Sequence, residues 1–239
     1  MQFQLSPLGD HAIVIELGEE INLNTHEKVK RVSAYLNQTP FSWMTEYIPA
    51  FTTVTVFYDP LAVMESSKEP ISLPYEGVSR KLEQVLGTLE VSSSGETRTV
   101  EIPVCYGGEL GPDIAEVALH NQVSEEEVIR YHTNGDYLVY MIGFAPGFPY
   151  IGGMPEEIAT PRKESPRLHI PAGSVGIAGK QTGVYPIETP GGWQLIGRTP
   201  LALFEPSEQS PTLLQAGDKI KFTSISKEEY NQYIKEASL

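Results

Sequence analysis

Two stretches near the start of the chain have strand-like patterns: residues 12–17 are mainly apolar, and in residues 52–58 polar and apolar residues alternate. Alternation of this kind predicts strands with one buried face. Between them a helix is predicted, with Asn22 or Asn24 as its N-cap and an apolar stripe of Val29, Val32 and Leu36. A second helix is predicted over residues 77–86. This order of elements indicates a small α/β domain in which helices cover one face of a sheet.

A domain boundary is predicted at residues 91–97, VSSSGET. The segment has no apolar periodicity and its composition is typical of a linker. We therefore expect an N-terminal α/β domain at residues 1–90 and a second domain at residues 97–239.

The second domain is predicted to be mainly β, with a helical pair inserted early. A strand is expected at residues 98–104, and a helix opens at residues 111–113. Ser124 and Glu127 form a capping box for the second helix. Short strands separated by glycine or proline are then expected at residues 137–142, 169–170, 183–187, 193–196, 201–204 and 219–223. Many short strands indicate an antiparallel barrel or sandwich, so the expected fold class is α+β.

The chain carries a net charge of -14. That acidity disfavours nonspecific binding to nucleic acid or to an anionic membrane, so we expect partners that are proteins or small molecules. No apolar run approaches the roughly 20 residues that span a bilayer, and the N-terminus lacks the pattern of a signal peptide. The single cysteine, Cys105, excludes an internal disulfide and fits a reducing compartment, so a cytoplasmic location is predicted.

Glycine and proline are concentrated in residues 143–200, which hold 11 of the 21 glycines and 9 of the 19 prolines. Together these residue types specify backbone shape. The segment has five Lys or Arg against four Asp or Glu, a balance of +1, so the other 181 residues carry −15. A shaped, near-neutral surface in an acidic protein is a candidate site for an anion or a partner.

Several motifs do not support chemistry of their own. The run GSVGIAGKQ at residues 173–181 departs from the Walker pattern at Ser174 and Gln181, so a chain of tight β-turns is the preferred interpretation. The G-x-S-x-G pattern fails at Ala172, which favours a structural serine. The five histidines have no metal-binding spacing, and Cys105 is expected to be a packed thiol. Neither a metal site nor a catalytic residue is identified.

The arginines allow two interpretations. Arg162, Arg167 and Arg198 either converge around a carboxylate or phosphate, or each binds loop carbonyls and rigidifies the turns. His169 either contributes to the same pocket or is satisfied by backbone. The aromatic residues of the segment either line a concave site, cap the barrel core or form an exposed protein-binding patch: Phe144, Phe148, Tyr150, Tyr185 and Trp193.

The runs GFAPGFPYIGG, TPR, PRLHIPAGSVGIAGKQTGVYP and PGGWQLIGRTP, in this order, closely resemble the B-type subunit family of bacterial 5-oxoprolinase. That family is also described as allophanate hydrolase subunit 1-like and includes KipI, the inhibitor of a sporulation histidine kinase. The resemblance implies a C-terminal cyclophilin-like β-barrel. It also implies a complex with two other subunits that opens 5-oxo-L-proline to L-glutamate with ATP hydrolysis.

The resemblance implies ATP and magnesium at the level of the complex, since no nucleotide motif is recognisable in this chain. We expect polar groups for a substrate pocket or subunit seam from these residues: Arg162, Arg167, His169, Lys180, Gln181, Tyr185, Gln194 and Arg198. The alternative function is inhibition of a sensor histidine kinase, in which the chain binds the kinase dimerisation and phosphotransfer helices. Its expected partner-binding residues are Phe148, Tyr150 and Trp193.

Overall fold

The computed structural model describes residues 1–67, 72–89 and 98–237. The chain divides into two compact units, Met1–Glu96 and Thr97–Leu239. The linker predicted at residues 91–97 lies outside the described residues. No helix in the described part of the chain is long and apolar enough to cross a membrane.

The first unit is an antiparallel sheet with three helices. Its strands, in the spatial order β1-β2-β4-β3, are β1 (Gln4–Pro7), β2 (Ala12–Glu16), β3 (Met44–Pro49) and β4 (Thr53–Tyr58). Its helices are α1 (Leu23–Gln38), α2 (Pro60–Ser66) and α3 (Pro74–Thr88). Of the two candidate caps it is Asn22 that begins α1, accepting a hydrogen bond from Thr25 N at 2.9 Å. The predicted stripe on α1 is buried. Helix α2, which Asp59 caps through the N–H groups of Leu61 and Ala62, was not predicted from the sequence.

The second unit is built around a closed barrel in the order β10-β7-β6-β13-β5-β12-β9. The barrel strands are β5 (Thr99–Tyr106), β6 (Tyr137–Ile142), β7 (Pro149–Gly152), β9 (Ser174–Ala178), β10 (Gln181–Val184), β12 (Gln194–Arg198) and β13 (Lys219–Ser224). A separate two-stranded sheet pairs β8 (Arg167–Ile170) with β11 (Thr189–Gly191). The helices are α4 (Ile114–Asn121), α5 (Glu125–Thr133) and α6 (Lys227–Glu236).

The α+β fold class is confirmed, but the barrel is mixed and not wholly antiparallel. Strand β13 pairs with β5 in parallel, with Lys219 opposite Thr99. The reason is topological: β5 opens the unit and β13 comes near its end, so the long chain between them can return to the same end of the barrel. A parallel pair needs such a crossover connection. The other strand pairs of the described barrel are antiparallel.

The expectation of tight turns is wrong for residues 174–178, because Ser174–Ala178 is a fully buried barrel strand. Gly173 and Gly179, at its two ends, have the positive φ of turns, whereas Gly176 within the strand reflects close packing. A Cβ at Gly176 would lie 3.2 Å from Trp193 Cβ, and one at Gly183 would lie 3.0 Å from the Trp193 ring. Glycine within a strand commonly marks such a close approach. The β9–β10 hairpin therefore packs closely against the side chain of Trp193.

Of the other local predictions, some are confirmed and some are wrong. The capping box of α5 is present, with Glu127 N donating to Ser124 Oγ at 3.2 Å. The strand predicted at residues 201–204 is not formed; only an isolated bridge joins Phe204 to Thr212. The strand predicted at residues 183–187 ends at Val184, two residues before Pro186, which has no N–H for a ladder. Helix α6, which Ser226 caps, was not predicted from the sequence.

Candidate functional site

A cavity of about 370 Å³ opens on the side of the barrel unit. It is lined by Phe144, Phe148, Tyr150, Arg162, Pro166, Gln181, Tyr185, Pro190, Gly191, Gly192 and Trp193. We call it the aromatic pocket. Of these described lining residues, Arg162 alone is charged, and none is Asp or Glu. The chain as a whole is strongly acidic, so the pocket is a local exception in charge.

Phe148 is the centre of the aromatic wall. Its ring meets those of Tyr150, Tyr185 and Trp193 edge to face, with centroid separations of 5.4, 6.0 and 6.0 Å. Edge-to-face contacts of this kind hold rings in fixed relative orientations. Since Phe148 is 4% exposed, it supports the wall from behind, while Tyr150 and Trp193 are half-buried. The result is a preformed apolar cleft.

The phenol of Tyr185 reaches the pocket beside a glycine. A Cβ at Gly191 would lie 2.5 Å from Tyr185 Oη, so this hydroxyl occupies the space that any side chain at position 191 would need. Gly191 is paired with Arg167 across the β8–β11 ladder. Burial raises the pKa of Tyr185 to about 12, while the charges of Arg162 and Arg167 act in the opposite direction. Both guanidinium groups therefore act on one neutral hydroxyl.

Asp113 fixes the proline-rich loop that carries these arginines. Its Oδ1 accepts hydrogen bonds from Arg167 Nη2 at 2.6 Å and Lys163 Nζ at 3.1 Å. Its Oδ2 accepts one from Leu195 N at 2.7 Å. Burial acts to raise the pKa of the Asp113 carboxyl, but the hydrogen bonds from Arg167, Leu195 and Lys163 outweigh it and hold that pKa below its ordinary value. The carboxylate is thus charged and joins β8 and β12 to the start of α4.

The hydrogen bond to Asp113 leaves one terminal nitrogen of Arg167 without a partner. Nη1 is buried and has no hydrogen-bond partner. The Oε1 atom of Gln194 is also buried without a hydrogen-bond partner, while its Nε2 donates to the carbonyl of Pro161 at 3.1 Å. Arg162, in contrast, is exposed.

The structure brings together part of the predicted site. Arg162, Gln181 and Tyr185 line the aromatic pocket, as do Phe148, Tyr150 and Trp193. Arg167 is not in the lining but is paired with Gly191, which adjoins the Tyr185 hydroxyl. The remaining polar candidates are not in the lining: His169, Lys180, Gln194 and Arg198.

The expectation that all the arginines converge on one hollow is therefore wrong for Arg198. Its Nε donates to the carbonyl of Ala172 at 2.8 Å, which is the loop-rigidifying role of the other interpretation. Lys180 instead pairs with Glu156 at 2.7 Å, with both side chains more than two-thirds exposed. His169 is 78% exposed and lies 3.1 Å from Glu188. Each has a carbonyl or carboxylate close by and needs no pocket.

Phe144 stands at the edge of the pocket in an unusual conformation. Its φ is 69°, in the left-handed region that disfavours bulky residues, and its side chain is 75% exposed. The ring meets that of Phe148 edge to face at 5.6 Å. A strained backbone that presents an aromatic ring to solvent is typical of a contact surface.

The serine and the cysteine that the sequence marked as structural have structural roles. Ser174 is buried and its Oγ donates to the carbonyl of Pro171 at 2.7 Å. Burial raises the pKa of the Cys105 thiol, so it is a poor nucleophile. Within residues 1–67, 72–89 and 98–237, no group of three or more His, Cys, Asp or Glu side chains could hold a metal ion.

Sequence reasoning missed Asp113 and Lys163. Asp113 was assigned to the opening of a helix, yet its side chain makes no cap hydrogen bond to α4. Its partners lie 50, 54 and 82 positions further along the chain. No local periodicity reports contacts at that separation. The available signal was the position of an acidic residue outside a segment rich in cations.

A larger cavity, of about 580 Å³, lies in the first unit between α2 and α3. Its lining includes the cations Arg80 and Lys81 with the rings of Phe41 and Trp43. Arg80 has an interaction partner, and the connection at residues 68–71 lies outside the described residues. The aromatic pocket therefore remains the candidate site.

The fold and pocket define a class: an α+β protein with a small sheet unit and a closed mixed barrel that carries an aromatic, arginine-edged pocket. The family model described as "Carboxyltransferase domain, subdomain C and D" matches residues 3–214. The chain belongs to this family. It is also 56% identical, over 100% of its length and 99% of the relative's, to the B-type subunit of 5-oxoprolinase from Bacillus subtilis (strain 168). The resemblance described from the sequence is confirmed.

Solved structures agree on the fold. The crystal structure of TTHA0988 matches with a TM-score of 0.76 and 32% identity over 90% of this chain. This chain spans only 40% of that one. The crystal structure of the urea amidolyase of K. lactis matches with a TM-score of 0.73 over 98% of this chain and 15% of the other. Its 18% identity supports the fold alone.

Proposed function

We propose that this chain is a non-autonomous subunit of a 5-oxoprolinase, which opens 5-oxo-L-proline to L-glutamate with ATP hydrolysis. The observation that carries the proposal is the 56% identity, end to end, to a protein named as one subunit of a 5-oxoprolinase. At this identity over the full length, a shared biochemical role is the simplest inference. The name of that relative supports work within a multi-subunit complex.

The chemistry of the reaction supports a shared site. An unstrained lactam is opened by water only after activation, for which phosphorylation of the lactam oxygen by ATP is suited. Such a step develops negative charge that preorganised donors stabilise. The aromatic pocket offers Arg162, Tyr185 and Gln181 as polar groups on a preformed apolar wall. We assign these three residues to the substrate side of the complex.

ATP and magnesium are assigned to the complex as a whole. The glycine-rich run at residues 173–181 forms β9 and the start of β10, whose backbone groups pair in the barrel ladder. Those N–H groups therefore do not form an open phosphate-binding loop. For His169, Lys180 and Arg198, a place at a subunit seam stays a prediction.

The test is an omission experiment. The two companion subunits are purified and assayed for 5-oxo-L-proline-dependent ADP formation with and without this chain. We expect turnover to require the chain. Full turnover in its absence would refute the proposal.

A second candidate function, inhibition of a sensor histidine kinase, is favoured by one observation: Phe144, which has a strained backbone and an exposed ring, lines the same pocket as Tyr150 and Trp193. Aromatic residues are favoured at the centres of protein interfaces. The experiment is titration of the chain, and of Phe144→Asn, into an autophosphorylating kinase. We expect loss of phosphate incorporation with the unchanged chain only. Equal incorporation at every concentration would exclude this role for that kinase.

A further inference from the structure

The aromatic pocket contains a cationic group that nothing in the described structure neutralises. Arg162 lines the pocket, yet it makes no hydrogen bond or ion pair with any residue in the described part of the chain. The other cations of the proline-rich loop are paired: Lys163 and Arg167 both donate to Asp113. Arg162 is thus set apart from its neighbours by its lack of an anion.

Arg167 is a second positive group that acts on the same part of the pocket as Arg162. Arg167 is paired across the β8–β11 ladder with Gly191, beside which the Tyr185 hydroxyl lies, and its charge acts on that hydroxyl together with the charge of Arg162. The Nη1 atom of Arg167 is buried without an acceptor. Buried donors without an acceptor are rare in native structures, so this one calls for an explanation.

The pocket's shape restricts the class of ligand. The walls contributed by Phe148 and Trp193 are aromatic and preformed, and the volume is about 370 Å³. A small ring fits such a cleft through its apolar faces. A planar guanidinium matches a planar carboxylate through two parallel hydrogen bonds. A fully hydrated phosphate would leave the aromatic walls without an apolar partner.

We propose that the aromatic pocket binds the carboxylate of a small ring acid, with Arg162 as its direct ligand and the Tyr185 hydroxyl and Arg167 as a second polar layer. The ring lies against Trp193. Identifying this acid as 5-oxo-L-proline rests on the function proposed above; the carboxylate site itself rests on the pocket's geometry and charge. The residues assigned here bind the substrate and are not required to carry the bond-breaking step.

The test is isothermal titration calorimetry on the full, isolated chain with three probes. These are 5-oxo-L-proline, 2-pyrrolidinone, which has the same ring without the carboxylate, and inorganic phosphate. We expect 5-oxo-L-proline to bind, and 2-pyrrolidinone and phosphate to bind at least about tenfold more weakly, as the loss of a charge-assisted pair implies. Equal affinity for the first two probes, tighter binding of phosphate, or no binding of 5-oxo-L-proline would overturn the site.

The variant Arg162→Met should reduce affinity for 5-oxo-L-proline by about tenfold or more. Its side chain is exposed and unpaired among the described residues, so the fold should survive. Arg130→Met is the matched control, because Arg130 is also exposed on the barrel unit but pairs with Glu127 on α5. Unchanged affinity in Arg162→Met would refute its role as ligand. Because this assay contains only the isolated chain, its failure leaves the proposed function standing, and the omission experiment can fail while binding persists.

Discussion

Arg167 and Asp113 form an ion pair at 2.6 Å in which the carboxylate is almost fully buried and the guanidinium is 28% exposed. The pair connects the β8–β11 sheet, which borders the aromatic pocket, to the start of α4. Because Lys163 and Leu195 N share the same carboxylate, one side chain fixes three separate parts of the chain.

Replacing Asp113 by Asn should therefore destabilise the barrel unit. Arg167 would lose its anion and Lys163 one of its two, while both cations stay mostly buried. Breaking a fully buried pair costs about 3 to 5 kcal/mol. Partial exposure of Lys163 and Arg167, at 22% and 28%, lowers the expected loss to about 2 to 3 kcal/mol. Urea unfolding followed by Trp193 fluorescence, in a Trp43→Phe background, measures it.

Glu116→Gln is the control for the Asp113→Asn variant. Glu116 also pairs with Lys163, at 2.7 Å, but is 58% exposed. Exposed pairs contribute about 1 kcal/mol or less. A loss in Glu116→Gln as large as that in Asp113→Asn would show that the carboxylate of Asp113 has no special role.

Gly191→Ala should disturb the pocket without changing its charge. The new Cβ would lie 2.5 Å from Tyr185 Oη and 2.9 Å from Ile170 Cδ1, so the phenol must move. We expect affinity for 5-oxo-L-proline to fall about tenfold, the scale of one hydrogen bond to a charged group. Gly87→Ala is the control, since it lies outside the pocket and nothing would lie within 4 Å of the new Cβ. Equal affinities in the two variants, measured calorimetrically, would contradict the placement of Tyr185.

His132 should make the barrel unit sensitive to acid. The imidazole is fully buried, and burial lowers its pKa to about 3. Thr182 Oγ1 donates to the carbonyl of Gly176, so it accepts from His132 Nε2–H at 2.8 Å, and His132 Nδ1 accepts from the Tyr106 hydroxyl at 2.7 Å. Protonation would put a charge on the fully buried ring, and the Tyr106 hydroxyl would have to turn from donor to acceptor for the new proton.

The unfolded chain binds this proton near pH 6.5 and the folded chain only near pH 3. Stability is therefore complete above about pH 6.5 and falls as the pH drops between these values, by roughly 5 kcal/mol at most. The free energy of unfolding, measured from pH 7 to pH 4.5, should show this slope, and His132→Gln should flatten it. The burial of His26 lowers its pKa too and acts in the same direction in the other unit. An unchanged slope in His132→Gln would contradict the assignment.

Cys105 should resist thiol reagents in the native protein. It is 7% exposed and burial raises its pKa, so the reactive thiolate is scarce. We expect little reaction with a disulfide reagent at mildly alkaline pH without denaturant and complete reaction in urea. Rapid native reaction would indicate an accessible, activated thiol.

Local signals were sufficient for most elements of this fold. The apolar stripe of α1 and the Ser124–Glu127 capping box each predict a helix from residues within one or two turns. The strand at residues 174–178 was missed because Gly176, with Gly183 of the following strand, accommodates the side chain of Trp193, which comes from a later part of the chain. Its burial is a tertiary property that turn propensities do not contain.

The site was predictable in its composition but not in its geometry. The concentration of aromatic and basic residues in residues 143–200 indicated a pocket, and seven of the residues named from the sequence line it. Acidic residues far away in the sequence determine which cations are paired: Asp113 pairs with Arg167, and Glu156 pairs with Lys180. Only the folded chain shows that Arg162 is left without an acid among the described residues.

The most direct measurement of the central claim is the Michaelis constant for 5-oxo-L-proline of the reconstituted three-subunit enzyme carrying Arg162→Met. Loss of a substrate contact formed equally in the ground and transition states raises KM and leaves kcat unchanged. We predict a KM raised about tenfold or more with kcat within about twofold of the unaltered enzyme, and unaltered constants for Arg130→Met. An unchanged KM in Arg162→Met would contradict the assignment of the substrate carboxylate to this chain.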